Sequence, residues 1–212
     1  MARHKTKKIE LFDSQENCYY SDSEGLAAKL AQSESLIIEA GCGDGKFALW
    51  LAAQNPDSLV VGVDLKVNRL AQGGRAALEQ RLDNVIFIKS QIQRLDGLIP
   101  ASCASQIWIT FPDPFPKSRH HKRRLGKPSF LGLYHQWLAV DGRLLLKTDD
   151  TTFFVDSIEG LQQAKWEVTE LTDDLHADYP KRFPQTTFEQ EFVTNGLPIN
   201  FLTATPPVDK LG

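Results

Sequence analysis

Two rhythms of hydrophobic and polar positions alternate along this chain. Short apolar runs read as buried strands: SLIIEA (35–40), SLVVGVD (58–64), NVIFIK (84–89), SQIWITF (105–111) and GRLLLKT (142–148). WEVTELT (166–172) and INFLTA (199–204) extend the series. Between them apolar residues recur three and four apart, the spacing of one helix face. That spacing predicts helices over 46–54, stopped by Asn55-Pro56, from Lys66 to about Leu82, over 129–140 and over 151–164. A shorter periodic stretch, GLAAKLAQ, precedes the first strand. Strands alternating with helices predict an α/β fold, a parallel sheet covered by helices on both faces. Residues 1–34 are expected to form a basic arm with a short helix, and 35–212 the sheet-bearing domain.

In such folds ligands bind beyond the carboxyl ends of the strands, near the topological switch point. Glu39, Asp64, Asp113 and Asp149 each fall at or just after a strand's C-terminal end, which lines four carboxylates along one edge. Composition narrows the classes. With 212 residues, 42% hydrophobic and 24% charged, the chain suits one globular domain. No apolar run is long enough to span a bilayer, and MARHKTKK lacks the apolar region of a signal peptide. Cys18, Cys42 and Cys103 are scattered without a C-x-x-C pair, so neither a disulfide framework nor a zinc site is expected, and the reducing cytoplasm is the expected compartment. A net charge of −3 means that nucleic-acid contacts must come from local patches, at 3–8 and 117–124.

EAGCGDGKF (39–47) closes the first strand with Gly41, Gly43 and Gly45. Such a turn can be a plain strand–helix connection. The dinucleotide fingerprint G-x-G-x-x-G does not fit, because its third glycine would fall on Lys46. Glu39 would repel a pyrophosphate but attract the ammonium of an amino-acid cofactor such as S-adenosylmethionine. Asp64 can accept from a ribose diol or cap the following helix. Together with Glu39 and the glycines it favours S-adenosylmethionine over a nicotinamide.

The stretch FPDPFPKSRHHKRRL (111–125) follows the fourth strand. Its prolines fix φ and present Asp113 on a stiff loop, while Phe111 and Phe115 offer faces for a base. A proline-rich surface turn is the plainer reading. Lys117, Arg119, Lys122, Arg123 and Arg124 form a run that is either merely solvated or a clamp for a phosphate backbone. The adjacent histidines lack metal-ligand spacing, and no metal is expected.

The glycine loop with Glu39, FPDPFPKSRHHKRRL, LLLKTDD and the late TTFEQEF together resemble the bacterial tRNA (guanine-N7-)-methyltransferase family, over about residues 36–203. The resemblance implies a class I, Rossmann-like S-adenosylmethionine-dependent fold with a mostly parallel seven-stranded sheet. It implies methylation of guanine N7 at the variable-loop position forty-six of tRNA, a cytoplasmic enzyme with S-adenosylmethionine as cofactor and tRNA as partner, and no membrane or metal. A monomer and a homodimer are both compatible with it. By resemblance Glu39, Gly41, Gly43 and Asp64 hold the cofactor, with Gln91 where the family usually has an acid near the adenine, and Phe115 stands where tryptophan is common. Asp113 matches the catalytic-loop aspartate and borders the cofactor. Lys117, Asp149, Thr186, Thr187, Phe188 and Glu189 match substrate contacts. Arg119, Lys122, Arg123 and Arg124, with Arg3, Lys5, Lys7 and Lys8, are expected on the tRNA backbone.

Guanine N7 has an in-plane lone pair and no proton, so the implied chemistry needs alignment rather than a base. Asp113 can stabilise the developing cation or accept from the guanine N1–H and N2–H edge. Asp149 and Glu189 are candidate second acceptors, against helix capping and a solvated loop charge as plainer roles. Residues 173–185 are expected to form a loop that orders on RNA. Rival readings are an amino-group methyltransferase, which typically carries D/N-P-P-Y/F rather than D-P-F-P, and a noncatalytic RNA-binding module.

Overall fold

A computed structural model of the chain describes residues 9–185 and 187–208, the side chains of Thr187 and Phe188 excepted. Eight strands form one sheet: β1 (Cys18–Tyr20), β2 (Leu36–Ala40), β3 (Leu59–Asp64), β4 (Val85–Lys89), β5 (Ala104–Thr110), β6 (Leu138–Thr148), β7 (Glu167–Thr172) and β8 (Asn200–Thr205). Their order is β1-β4-β3-β2-β5-β6-β8-β7. The first six strands in that order run parallel, and β8 pairs antiparallel with both β6 and β7. The helices named below are α1 (Leu26–Ala31), α2 (Lys46–Gln54), α3 (Val67–Gln80), α4 (Pro128–Trp137), α5 (Thr151–Gln163), α6 (Leu175–Asp178) and α7 (Thr187–Thr194).

The sheet is buried on both faces, which is why β2 to β5 read as unbroken apolar runs. Successive side chains point to opposite faces. Leu36, Ile38 and Ala40 therefore join the cluster under α1, α4 and α5, whereas Ile37 joins Phe47, Leu70, Phe87 and Trp108 under α2 and α3. The same alternation puts Glu39 with Ile37, Thr110 with Trp108 and Lys147 with Leu145. All three polar side chains therefore lie on the α2 face, on three adjacent strands.

Three expectations are corrected. The sheet has eight strands rather than seven, because Cys18–Tyr20 in the arm pairs parallel to β4. A three-residue strand is too short to show a period. The arm is held there by Gln15 Nε2 donating to the Ala71 carbonyl (3.1 Å) and Asn17 Nδ2 to the Gly74 carbonyl (3.0 Å). The helix expected over 129–140 ends at Trp137, and residues 138–140 already belong to β6. Gly142 allows this bulged entry, since a Cβ there would lie 2.7 Å from the Ala104 carbonyl oxygen. Within 173–185 a helical turn, α6, forms, capped by the Asp174 carboxylate accepting from the His176 and Ala177 amides.

Candidate active site

The carboxyl ends of the parallel strands lie in register. Ala40 is opposite Val63 and Ile109, Asp64 opposite Lys89, and Thr110 opposite Lys147. The loops that follow β2 to β5 leave from this edge and enclose a cavity of about 430 Å³. Gly41, Asp64, Gln91, Asp113, Lys122 and Arg123 all line it, with Arg69, Ser90, Gln93, Phe111 and Phe115. Beyond β2, the direction in which strands are added reverses, so the cavity occupies the switch point that the sequence pattern implied. A more open groove of about 380 Å³ lies between the basic loop and α5, but neither the glycine loop nor Asp64 reaches it.

The glycine turn meets the cavity at Gly41. Gly41 and Gly43 are left-handed (φ 82° and 58°), a conformation that other residues resist. Gly45 is also left-handed, and a Cβ on it would lie 2.4 Å from the Phe87 ring. The amides of Gly41 and Cys42 donate to the Val63 carbonyl (2.8 and 3.0 Å), fastening the turn to β3. Asp64 accepts from the Gly43 amide (3.1 Å) and the Lys66 amide (2.8 Å). Lys66, not Asp64, occupies the cap position of α3. A carboxylate has about four acceptor sites, so Asp64 keeps capacity towards the cavity.

Glu39 lies behind the turn, 1% exposed. Its Oε1 accepts from Thr110 Oγ1 at 2.5 Å, while Oε2 is buried without a hydrogen-bond partner among the described residues. Burial pushes its pKa up to about 7, against the opposing pull of Thr110, Lys147 and the Ala48 amide. A buried carboxylate oxygen without a donor is costly. The aminoacyl ammonium of S-adenosylmethionine is a group of the right charge to complete it, and Asp64 lines the cavity as a further acceptor. The residues present fit that cofactor.

The loop after β5 is strained at both ends of its proline segment. Phe111 and Phe115 are left-handed (φ 46° and 45°), an arrangement that persists only where surroundings enforce it. At the Phe115 end the enforcing group is Arg124. Its Nε donates to the Pro114 carbonyl (2.8 Å) and its Nη2 to that of Phe115 (3.4 Å), while Nη1 lies 3.1 Å from Asp156 Oδ2. Lys127 Nζ meets the other Asp156 oxygen at 2.5 Å. Burial alone would raise the Asp156 pKa, but these hydrogen bonds outweigh it and hold the carboxyl below its ordinary value. The expectation that Arg124 grips a phosphate backbone is thereby corrected: its side chain is 3% exposed and committed to two loop carbonyls and to Asp156 on α5. Asp113, by contrast, is exposed on the cavity wall.

Lys117, Arg119, Lys122 and Arg123 are exposed, and Arg123 lies over the Phe115 ring at 5.1 Å. Asp149 is half-buried at the end of β6. Burial raises its pKa, and neighbouring Asp150 adds to the effect. The helix-capping role falls to Asp150, which accepts from the Phe153 amide at 2.6 Å. Glu189 does not reach the cavity. It is fully buried and paired with Lys147 Nζ (2.8 Å) and His176 Nε2 (3.1 Å), so a direct substrate contact is corrected to an internal ion pair. Thr186 and the side chains of Thr187 and Phe188 lie outside the described residues, as do Arg3, Lys5, Lys7 and Lys8. Sequence reasoning passed over Thr110, Lys147, Asp156 and His176. Only the lysine inside the apolar run LLLKT carried a signal, a charge where a buried strand should have none.

Comparison with known proteins agrees with this geometry. A family model described as "Putative methyltransferase" matches residues 33–202. A 16S rRNA (adenine(1408)-N(1))-methyltransferase variant from Catenulisporales acidiphilia, solved with cosubstrate S-adenosylmethionine, superposes with a TM-score of 0.63. That match covers 89% of this chain and 92% of the other at 19% identity, a likeness of fold alone. The fold is that of the class I S-adenosylmethionine-dependent methyltransferases. A tRNA (guanine-N(7)-)-methyltransferase from Christiangramia forsetii is 36% identical across 79% of this chain and 76% of its own. One from Mesomycoplasma hyopneumoniae is 38% identical, covering 81% and 85%. The chain belongs to the tRNA (guanine-N(7)-)-methyltransferase family.

Proposed function

We propose that this protein transfers a methyl group from S-adenosylmethionine to N7 of a guanine in tRNA, with the variable-loop guanosine at position forty-six as its target. The observation that carries the reading is the placement of Asp113 on an enforced loop at the wall of a cavity that the glycine turn meets at Gly41, in a chain of this family. Glu39 takes the cofactor's ammonium and Asp64 its ribose, while Gln91 offers a side-chain acceptor to the adenine amino group. S-adenosylmethionine supplies an activated methyl group on sulfur.

The chain's task is alignment. The guanine lone pair needs no base, and holding it in line with the methyl group supplies most of the acceleration. The base becomes cationic as the methyl arrives, and the Asp113 carboxylate stabilises that charge or fixes the base through its N1–H and N2–H edge. Lys117, Arg119, Lys122 and Arg123 hold the phosphates around the target, and Asp149 is a second acceptor for the base.

The test is methyl transfer from labelled S-adenosylmethionine to unmodified tRNA, with nucleoside analysis of the product. The expected product is 7-methylguanosine, with Asp113→Ala lowering kcat by about 10²–10³. Methyl on an exocyclic amine would make the enzyme an amino-group methyltransferase. Binding of tRNA without transfer would leave a noncatalytic module.

A further inference from the structure

Lys147 is fully buried on β6, where an ammonium is rare unless paired, and the reading above gives it no role. Its Nζ donates to Glu189 Oε2 at 2.8 Å. The rings of Phe47, Phe111 and Phe183 surround it at 4.4, 5.6 and 5.8 Å. Phe47 lies in the first turn of α2, the helix that follows the glycine turn, and Glu189 belongs to α7. Phe111 opens the Asp113 loop, and its amide donates to the Lys147 carbonyl at 2.9 Å. On the same face of the sheet, within electrostatic reach, lies Glu39.

If Lys147 served only to fasten α7, an apolar pair would do as well, because a buried ion pair is often no more stabilising than packed hydrophobic groups. An apolar pair could not act on Glu39. That carboxylate keeps one oxygen without a donor in a site that favours its neutral form. The groups facing it are Thr110 from β5, Lys147 from β6, the Ala48 amide of α2, and Asp44 and Cys42 in the glycine turn. Of these, Lys147 is the cation. Its own charge is disfavoured by burial and sustained by Glu189, which His176 meets on the other side, and by Glu39.

We propose that Lys147 is a positioning residue for the cofactor: its buried ammonium keeps the Glu39 carboxylate ionised to receive the aminoacyl ammonium, and Glu189 holds that ammonium in place. The proposal rests on the reading of Glu39 as the cofactor's partner. A neutral Glu39 would offer little to an ammonium, so affinity should rise with pH through the Glu39 ionisation near 7. Without Lys147 that ionisation moves upward, and affinity below it falls about tenfold for each unit of displacement.

S-adenosylmethionine binding is measured by calorimetry from pH 5.5 to 7.5, below the α-amino pKa of about 7.7–8.0. Wild type, Lys147→Met/Glu189→Gln and Glu189→Gln are compared, and circular dichroism checks that each is folded. No binding by wild type overturns the cofactor reading itself. If wild type binds, the double variant, which leaves no orphan charge, should bind at least about tenfold more weakly at pH 7 and still be gaining affinity where wild type bends over. Glu189→Gln leaves the ammonium an acceptor but removes the carboxylate that sustains its charge, so it should raise the bend by less than the double variant does. A folded double variant whose profile overlays wild type overturns the proposal. Should the double variant not fold, Glu189→Gln alone decides: a raised bend, which removal of a negative charge produces only through loss of the Lys147 charge, supports the role of Lys147, and an unmoved or lowered one ends it.

Discussion

Arg124 and its four cationic neighbours are alike in sequence and different in place. Lys117, Arg119, Lys122 and Arg123 face solvent, whereas Arg124 turns inward to two loop carbonyls and Asp156. Arg124→Lys keeps the charge but loses the planar fork that reaches all three partners. We expect it to cost about 2 kcal/mol, the scale of a charge-assisted hydrogen bond. In a domain of this size that lowers Tm by about 4–8 °C. Because the Asp113 loop loses its brace, kcat should fall more than tenfold, which single-turnover methyl transfer would read. An unchanged kcat beside a lowered Tm would reduce Arg124 to a purely structural role. Positions were legible where strand order alone set them: Glu39 near the end of β2, Asp64 at the end of β3 and Asp113 just after β5 all lie at the carboxyl edge of the sheet. Arg124 and Glu189 were misassigned and Lys147 passed over because burial is decided by partners remote in sequence. Lys147 and Glu189 are 42 residues apart, and no local pattern announces such a pair.

The elements themselves were read with little error, because each central strand of a doubly covered sheet must be an unbroken apolar run and each covering helix an amphipathic one. The misses share a cause. β1 is three residues long, and the α4–β6 boundary is set by a glycine bulge that packs against β5, so neither leaves a period to detect. At the β6–α5 junction two adjacent aspartates have separate tasks, and this separation can be tested. Asp150 caps α5, so Asp150→Ala should cost about 1 kcal/mol and lower Tm by about 2–4 °C, with methyl transfer at saturating substrates nearly unchanged. Asp149→Asn removes a half-buried carboxylate that burial already disfavours, so the fold should tolerate it, while methyl transfer falls at least tenfold if this group faces the base. Thermal melts and steady-state rates on the two variants distinguish the roles. Equal losses in both quantities for both variants would mean that the junction acts as one structural unit.

For the molecule as a whole, charge is arranged rather than accumulated. A net charge of −3 gives no general attraction to RNA, and within the run 117–124 the four cations that stay exposed, Lys117, Arg119, Lys122 and Arg123, lie in the loop that carries Asp113 and borders the cavity. Binding of a polyanion should therefore be local to this edge and sensitive to salt. Each phosphate neutralised releases condensed counterions, so log K falls with log salt in proportion to the number of contacts. Lys117→Gln and Arg119→Gln should each weaken tRNA binding and reduce that slope by about 1, with S-adenosylmethionine affinity unaltered because neither residue lines the cavity. Titrations of tRNA between about 50 and 200 mM salt would measure it. A slope unchanged in the double substitution would move the phosphate contacts elsewhere on the molecule. The basic patch at residues 3–8, outside the described residues, would then be the first place to substitute. A reduced slope with intact cofactor binding would locate the tRNA backbone beside Asp113, with the base over the cavity and its phosphates on the loop that carries the aspartate.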